Sequence, residues 1–268
     1  MQSEQRRICL LTGAAGRLGS DFCRRYRSRY QIVAVYHRRP PNVPHQDIWP
    51  VDPIQPRAEL AGARERVFTL QADLTDESDL VRVVDTTLAI YGGVDLLVNS
   101  AVYARSERLN SVAEDSALLD NSFYLNATVP VRLAAIIARR HWLWSRGENE
   151  ARGRNVVNVS SSASLGVVSR AGLGAYSASK AALNMLSCHQ AEELGPVGIR
   201  VNVLTPTSFP VPLPTSTVSD AIVDLDQSGL TGCIVGLDEV GAAIMDGPEM
   251  CVMPKKRDWL AGQRRLAL

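Results

Sequence analysis

Ile8-Cys9-Leu10-Leu11-Thr12-Gly13-Ala14-Ala15-Gly16-Arg17-Leu18-Gly19 decides how the rest of the chain is read. The short apolar run Ile8–Thr12 suits a buried strand, and the glycines that follow break it. Leu18–Ser28 then has the apolar spacing of a helix. A strand, a glycine-rich turn and a helix start make an anion site. Glycine lets the backbone turn tightly and approach a pyrophosphate, and the helix start offers unpaired N–H groups at the positive end of its dipole. A glycine triplet alone is weak evidence. Its weight here comes from its place after the first strand of an alternating chain.

That alternation continues outward. Ile32–Tyr36, Val67–Gln71, Leu96–Asn99, Asn155–Ser160 and Arg200–Leu204 read as strands. Glu77–Tyr91, the stretch Asp115–His141 and Tyr176–Leu194 carry helical spacing, and Asp238–Met245 reads as a short helix with Met250–Met253 as a last strand. Strands separated by helical crossovers predict an α/β fold with a doubly wound, mostly parallel sheet. Asn155–Val159 shows little polar alternation, as expected of a strand covered on both faces. One domain is expected over residues 1–268. A proline-rich insertion lies at about 40–56, where six prolines exclude a regular helix, and a substrate-loop and tail region spans about 206–268.

Composition bounds the function. The chain has 268 residues, enough for a sizeable core, with 46% hydrophobic and 21% charged residues. A net charge of +1 points to no nucleic-acid partner. No apolar run approaches the roughly 18 residues of a membrane helix. The five cysteines are scattered, with no Cys-x-x-Cys pair, which suits a reduced, cytoplasmic protein. The four histidines have no ligand spacing, so no metal site is expected. Trp142 and Trp144 read as packing or an oligomer face, and a homodimer or homotetramer is expected.

The second strand runs into Tyr36-His37-Arg38-Arg39, and no carboxylate follows until Asp47. An acid at that strand end would bind a ribose 2′-hydroxyl, whereas arginine forks chelate a 2′-phosphate. With Arg17 in the glycine turn, the pattern favours NADP(H). Tyr176 and Lys180 open a helix at i and i+4 and share one face. A free tyrosine has a pKa of about 10, and a neighbouring ammonium lowers it, so the phenol can trade a proton with a carbonyl or alcohol oxygen. Upstream, Asn158-Val159-Ser160-Ser161-Ser162 leaves the carboxyl end of a central strand, where open α/β sheets bind ligands.

These features together resemble the short-chain dehydrogenase/reductase superfamily, a Rossmann-type family, from about Arg7 to Pro206 and more loosely to Pro254. The resemblance rests on the glycine turn, Asp73 in Ala72-Asp73-Leu74-Thr75, Asn99-Ser100-Ala101, Asn126, the serine run, Tyr176 with Lys180, and Arg200-Val201-Asn202 followed by Pro206. It implies that Tyr176 is the general acid. It implies that Lys180 holds the nicotinamide ribose and lowers the tyrosine pKa, and that Asn126 supports a proton-relaying water. A serine hydroxyl would donate to the substrate oxygen. Gly13, Gly16, Arg17, Leu18 and Gly19 would hold the pyrophosphate, with His37, Arg38 and Arg39 at the 2′-phosphate. Asp73 and Leu74 would border the adenine, Asn99 and Ala101 would line the ribose and phosphate path, and Pro206–Phe209 would lie against the nicotinamide.

The chain departs from the family in places. Gly16-Arg17-Leu18-Gly19 resembles the variant turn of pteridine reductases, which also carry a His-Arg pair after the second strand. The usual serine stands thirteen residues before the tyrosine, a position held here by Ala163; alignment on the strand end selects Ser161, with Ser162 as the alternative. The tail lacks Val-Asp-Gly-Gly, and Lys255-Lys256-Arg257 resembles the basic tail of steroid- and retinol-type members. The leading expectation is an NADPH-dependent reductase of a small-molecule carbonyl or C=N group, or the reverse alcohol dehydrogenase. The alternatives are a non-catalytic NADP(H)-binding sensor and an epimerase or dehydratase on the same scaffold.

Overall fold

A computed structural model describes residues 6–45, 67–113, 115–168 and 172–246. The eight strands form one sheet in the order β3-β2-β1-β4-β5-β6-β7-β8. They are β1 (Arg7–Leu11), β2 (Tyr30–Tyr36), β3 (Phe68–Gln71), β4 (Leu96–Asn99), β5 (Asn155–Val159), β6 (Arg200–Pro206), β7 (Ile234–Leu237) and β8 (Ala242–Asp246). All neighbours are parallel except β7 and β8. The chain runs outward from β1 to β3, then returns to β4 on the other side of β1. That reversal opens a crevice at the carboxyl ends of β1 and β4, where doubly wound sheets take their ligands.

The helices cover both faces. Cys9 and Leu11 of β1 point into one core layer with Leu18 and Phe22 of α1 (Arg17–Tyr26), while Leu10 points into the other. This follows from the two-residue period of a strand. The second layer holds Leu80, Val83 and Val84 of α2 (Glu77–Tyr91). It also holds Leu133 and Ile137 of α4 (Val129–Arg140), which follows the short α3 (Ala117–Phe123). Asp76 caps α2 by accepting from the Ser78 and Asp79 N–H groups, and Gly92 ends it in the left-handed region at φ 79°. After the six-residue α5 (Arg146–Ala151) and β5 comes α6 (Gly174–Leu194), the 21-residue helix that carries Tyr176 and Lys180.

Three differences from the sequence reading lie in the carboxyl-terminal part. Asp238–Met245 is not a helix. Asp238 Oδ1 accepts from the Val240 and Gly241 N–H groups at 2.8 and 3.0 Å, which turns the chain back, and β8 then pairs antiparallel with β7. Aspartate competes with helix formation in this way by bonding its own downstream backbone. Helix α7 (Thr215–Gln227) and strand β7 were not expected. Met250–Met253, the basic tail and the greater part of the proline-rich insertion lie outside the described residues. Pro40–His45 forms an irregular segment whose end, His45, bridges in parallel to Val67.

Candidate active site

The glycine turn is held against the start of the β4 loop. Thr12 Oγ1 accepts from the Ser100 and Ala101 N–H groups at 3.0 and 3.1 Å. Gly13 sits at φ 69°, and a Cβ there would stand 2.7 Å from the Ala101 nitrogen. A Cβ at Gly19 would lie 2.5 Å from the Ala14 Cα. Both positions exclude any side chain, so the backbone lies bare where the turn enters α1. Gly16 begins α1 with no side-chain cap, which leaves first-turn N–H groups for an incoming anion.

A cavity of about 250 Å³ runs from this turn to the start of α6. Its walls include Gly13, Gly16, Arg17 and Leu18 at one end, Tyr176 and Lys180 at the other, and Ser100, Val102, Ser160 and Phe209 between. Phe209 belongs to the stretch expected against the nicotinamide, whereas Ser100, Val102 and Ser160 had no role assigned from the sequence. Their common signal is position: each lies at or just beyond the carboxyl end of β4, β5 or β6.

Tyr176 is half-buried, and its pKa is raised by burial. The one group pulling it down is the Ser161 hydroxyl, hydrogen-bonded to it. Of the two serines weighed above, Ser161 is therefore the one brought to the phenol. Ser161 Oγ also accepts the Ala163 N–H at 3.2 Å. Lys180 is buried, and its Nζ donates to the Val159 carbonyl at 2.8 Å. Burial lowers its pKa to about 7.

Asn126 lies in a π-helical turn, Tyr124–Thr128, between α3 and α4. Its side chain is fully engaged as a donor, to the Tyr103 carbonyl at 2.8 Å and to Ser179 Oγ at 2.9 Å, and it accepts the Tyr103 N–H at 2.8 Å. This amide clamps the loop after β4 to α6. Both hydrogens of its side-chain amide are thus used within the protein. Asn99 Nδ2 donates to Asn158 Oδ1 at 2.7 Å while its own Oδ1 is buried without a hydrogen-bond partner among the described residues, and Asn158 donates to Ser187 Oγ at 2.8 Å, so a buried polar ladder joins β4, β5 and α6.

The remaining expected cofactor residues stand at the ends of β2 and β3. His37, Arg38 and Arg39 are exposed, and among the described residues the two arginines have no ion-pair partner. Asp73 Oδ1 accepts from Thr75 N and Oγ1 at 2.9 and 2.7 Å, contacts that hold its pKa down, and its Oδ2 lies 3.7 Å from His37 Nε2. Leu74 is buried beside it. Pro206 ends β6, buried, three residues before Phe209.

The described cysteines are buried thiols. Burial pushes Cys23 up to about 12 and Cys9 well above its usual range, so neither is a nucleophile. Trp142 is a core residue whose Nε1 donates to the Val94 carbonyl at 2.9 Å, while Trp144 is 79% exposed. Among the described residues no helix is long and apolar enough to cross a membrane.

Comparison with known proteins agrees with this geometry. The family model for short chain dehydrogenase matches residues 7–221. The chain is 30% identical to the uncharacterized oxidoreductase YuxG of Bacillus subtilis over 201 residues, 75% of this chain and 27% of that protein. It is 38% identical to the NADPH carbonyl reductase 2 of Sus scrofa over 129 residues, 48% of this chain and 49% of that protein. It is 36% identical to the L-xylulose reductase of Homo sapiens over 136 residues, 51% of this chain and 52% of that protein. The chain thus spans 27 to 52% of the length of these curated relatives. Among solved structures, a Brucella ovis oxidoreductase of the short chain dehydrogenase/reductase family, in complex with a partially ordered NAD, superposes with a TM-score of 0.66 at 27% identity. That match covers 87% of this chain and 99% of that one. A metagenomic short-chain oxidoreductase in complex with NADP has the same fold, with a TM-score of 0.66 at 24% identity, covering 87% of this chain and 96% of that one.

Proposed function

The chain belongs to the short-chain dehydrogenase family, and on that premise we propose that it is an NADPH-dependent reductase of small organic carbonyl compounds, or the corresponding alcohol dehydrogenase. The observation that carries this reading is the single cavity that joins the bare glycine turn to Tyr176 and Lys180, with Ser161 on the phenol.

The fit to a dinucleotide rests on this chain's own groups. Gly13 and Gly19 keep the backbone open, α1 presents uncapped N–H groups, and Lys180 is a buried cation with a carbonyl but no carboxylate beside it. The preference for a 2′-phosphate rests on Arg38 and Arg39, exposed and without an ion-pair partner among the described residues, and on Asp73, whose Oδ1 is already spent on Thr75. When bound beside Tyr176 and Lys180, a reduced nicotinamide would supply the hydride for the carbonyl carbon. Tyr176, a phenol protonated near neutrality whose pKa burial raises further, gives its proton to the carbonyl oxygen. Ser161 then donates to the phenolate that remains. Lys180, one turn along the same helix face, holds the ribose, and Asn126 fixes the loop that forms the cleft's side.

The experiment is a screen of ketones, aldehydes and ketoses followed by NADPH absorbance, with NADH in parallel. NADPH should be consumed with at least one carbonyl. Arg38→Ala should weaken NADPH binding by about 1.5–3 kcal/mol, the cost of one charge-assisted contact, and leave NADH binding unchanged. Equal affinity of the wild-type protein for both dinucleotides rejects the 2′-phosphate assignment, and no oxidation of either cofactor with any carbonyl rejects the reductase.

A further inference from the structure

We infer that Asn184 is a positioning residue for Ser161, acting through Ser164 and thereby on Tyr176; the inference rests on the proposed chemistry of that serine–tyrosine pair. Asn184 lies on α6 two turns beyond Tyr176 and one beyond Lys180, so all three project from one side of the helix. It is 6% exposed. Its Nδ2 donates to Ser164 Oγ at 2.8 Å. The Ser164 hydroxyl donates in turn to the Ser161 carbonyl at 2.6 Å, and the Ser164 N–H donates to the same oxygen at 2.9 Å. The direction is self-consistent. Because the amide supplies the first hydrogen, the serine hydrogen is free to go on to Ser161.

Ser161 needs such an anchor. It stands where β5 gives way to a 3₁₀ turn, Ser162–Ser164, and from Leu165 to Val168 the chain is exposed. Among the described residues of that loop none beyond Ser164 bonds the Ser161 backbone, so that backbone is fixed by the Ser164 turn and that turn by α6. The amide is an expensive way to fill the space. Asn184 Oδ1 is buried with no hydrogen-bond partner among the described residues, and an unsatisfied buried acceptor costs stability that an apolar side chain would not. A residue kept only for packing would be apolar here. The one bond that distinguishes this amide from a leucine is the bond to Ser164.

The test reads the Tyr176 phenol directly. The groups facing it in the cleft are Ser161, Lys180 and Arg17, and no carboxylate lines the cavity among the described residues. The Ser161 contact favours the phenolate. A displaced Ser161 therefore moves the Tyr176 titration midpoint upward, and the alkaline limb of carbonyl reduction with it. Phenolate absorbance is titrated in the NADP⁺-bound protein as the difference between each variant and its own Tyr176→Phe counterpart. Ser164→Ala and Asn184→Ala should raise the midpoint by similar amounts, the double variant should raise it no further, and Ser164→Thr, which keeps the hydroxyl, should restore it. Turnover of diacetyl should fall about threefold to tenfold, the reach of one hydrogen bond, with the KM for NADPH unchanged. Met185→Ala, on the exposed side of the same helix, should match wild type in both readouts. An unchanged midpoint in Ser164→Ala, at a half-buried position, overturns the inference. If wild-type protein reduces no carbonyl, the reductase reading fails by itself, and the titration still decides whether Asn184 sets Ser161.

Discussion

At the amino-terminal rim of the sheet a set of charges is densely paired; at the carboxyl-terminal rim Lys180, Arg17, Arg38 and Arg39 have no ion-pair partner among the described residues. Arg7, at the start of β1, donates to both oxygens of Asp226 at 3.0 and 2.7 Å and to the Asp95 and Gly153 carbonyls. Tyr30 donates to Asp226 at 2.8 Å. Asp95 accepts the Ile8 N–H at 2.9 Å and is paired with Arg152. Arg200 donates to four backbone carbonyls, those of Gly153, Leu225, Asp226 and Ser228. The opposite rim has Lys180 on a single carbonyl, Arg17, Arg38 and Arg39 in solvent, and a helix start without a cap. Buried charges are tolerated when fully paired. Where a fold leaves them unpaired around a cavity, the pairing is left for a ligand.

Substitutions should split the two rims. Tyr176→Phe should have the largest effect of those considered, lowering turnover about 10²- to 10⁴-fold, the span of general acid catalysis. The fold should lose no more than the Ser161 hydrogen bond, about 1 kcal/mol. Steady-state kinetics beside a urea melt checks both. Near wild-type turnover in Tyr176→Phe would break the assignment of the carboxyl rim to chemistry.

Asp95→Ala should do the reverse. Removing one member of a buried ion network costs about 3–5 kcal/mol. Cofactor affinity should not change, because Asp95 sits at the far end of β4. Burial works to raise the Asp95 pKa, but the hydrogen bonds from Arg152 and the Ile8 N–H, with the Arg152 and Arg7 charges, hold it below the usual range. Its contribution is therefore present above the ordinary carboxylate pKa and is lost as pH falls through the lower, folded value. Urea melts along a descending pH series should show the wild type converging on Asp95→Ala. Parallel curves would mean that the network is electrostatically idle.

The contrast between the rims also explains what was legible. The carboxyl rim speaks through residue types with few other uses: glycines that the Ala101 and Ala14 contacts exclude from substitution, and a Tyr176/Lys180 pair at helical spacing. The amino rim was invisible, since Arg7, Asp95, Arg154 and Asp226 lie far apart in the chain and only the sheet register brings them together. Helix α7 was hidden differently. It follows Pro206, Pro210, Pro212 and Pro214, and opens Thr215-Ser216-Thr217-Val218-Ser219, residues of modest helix propensity. Yet its buried face, Val218, Ile222 and Leu225, has ordinary helical spacing and was there to be read. Strand β7 is four residues containing Gly236, too short for periodicity to register. The partners of Ser161 and Lys180 required atoms. Counting across a loop cannot say which serine meets the phenol, and no pattern says that a lysine ends on the Val159 carbonyl.

Lys180 gives the smallest effect and the sharpest test of the idea that the carboxyl rim carries an unpaired charge. Burial lowers its pKa from the ordinary 10.5 to about 7. Between those values the folded chain binds fewer protons than the unfolded one at this site. Folding therefore carries the penalty of this buried cation in full below about pH 7, and the penalty fades as pH rises toward 10.5. Lys180→Met fills the same space without a charge, and near neutral pH the variant should be no less stable than wild type. Raising the pH should then favour wild type over the variant, by up to about 1.4 kcal/mol per pH unit and on the order of 1–2 kcal/mol across the accessible range. Urea melts of both ligand-free proteins at neutral pH and at about two units above it supply the comparison. A stability difference that stays constant with pH would mean that Lys180 keeps its proton throughout, paired and satisfied like the charges of the opposite rim, and the distinction between the two rims would lose its physical basis.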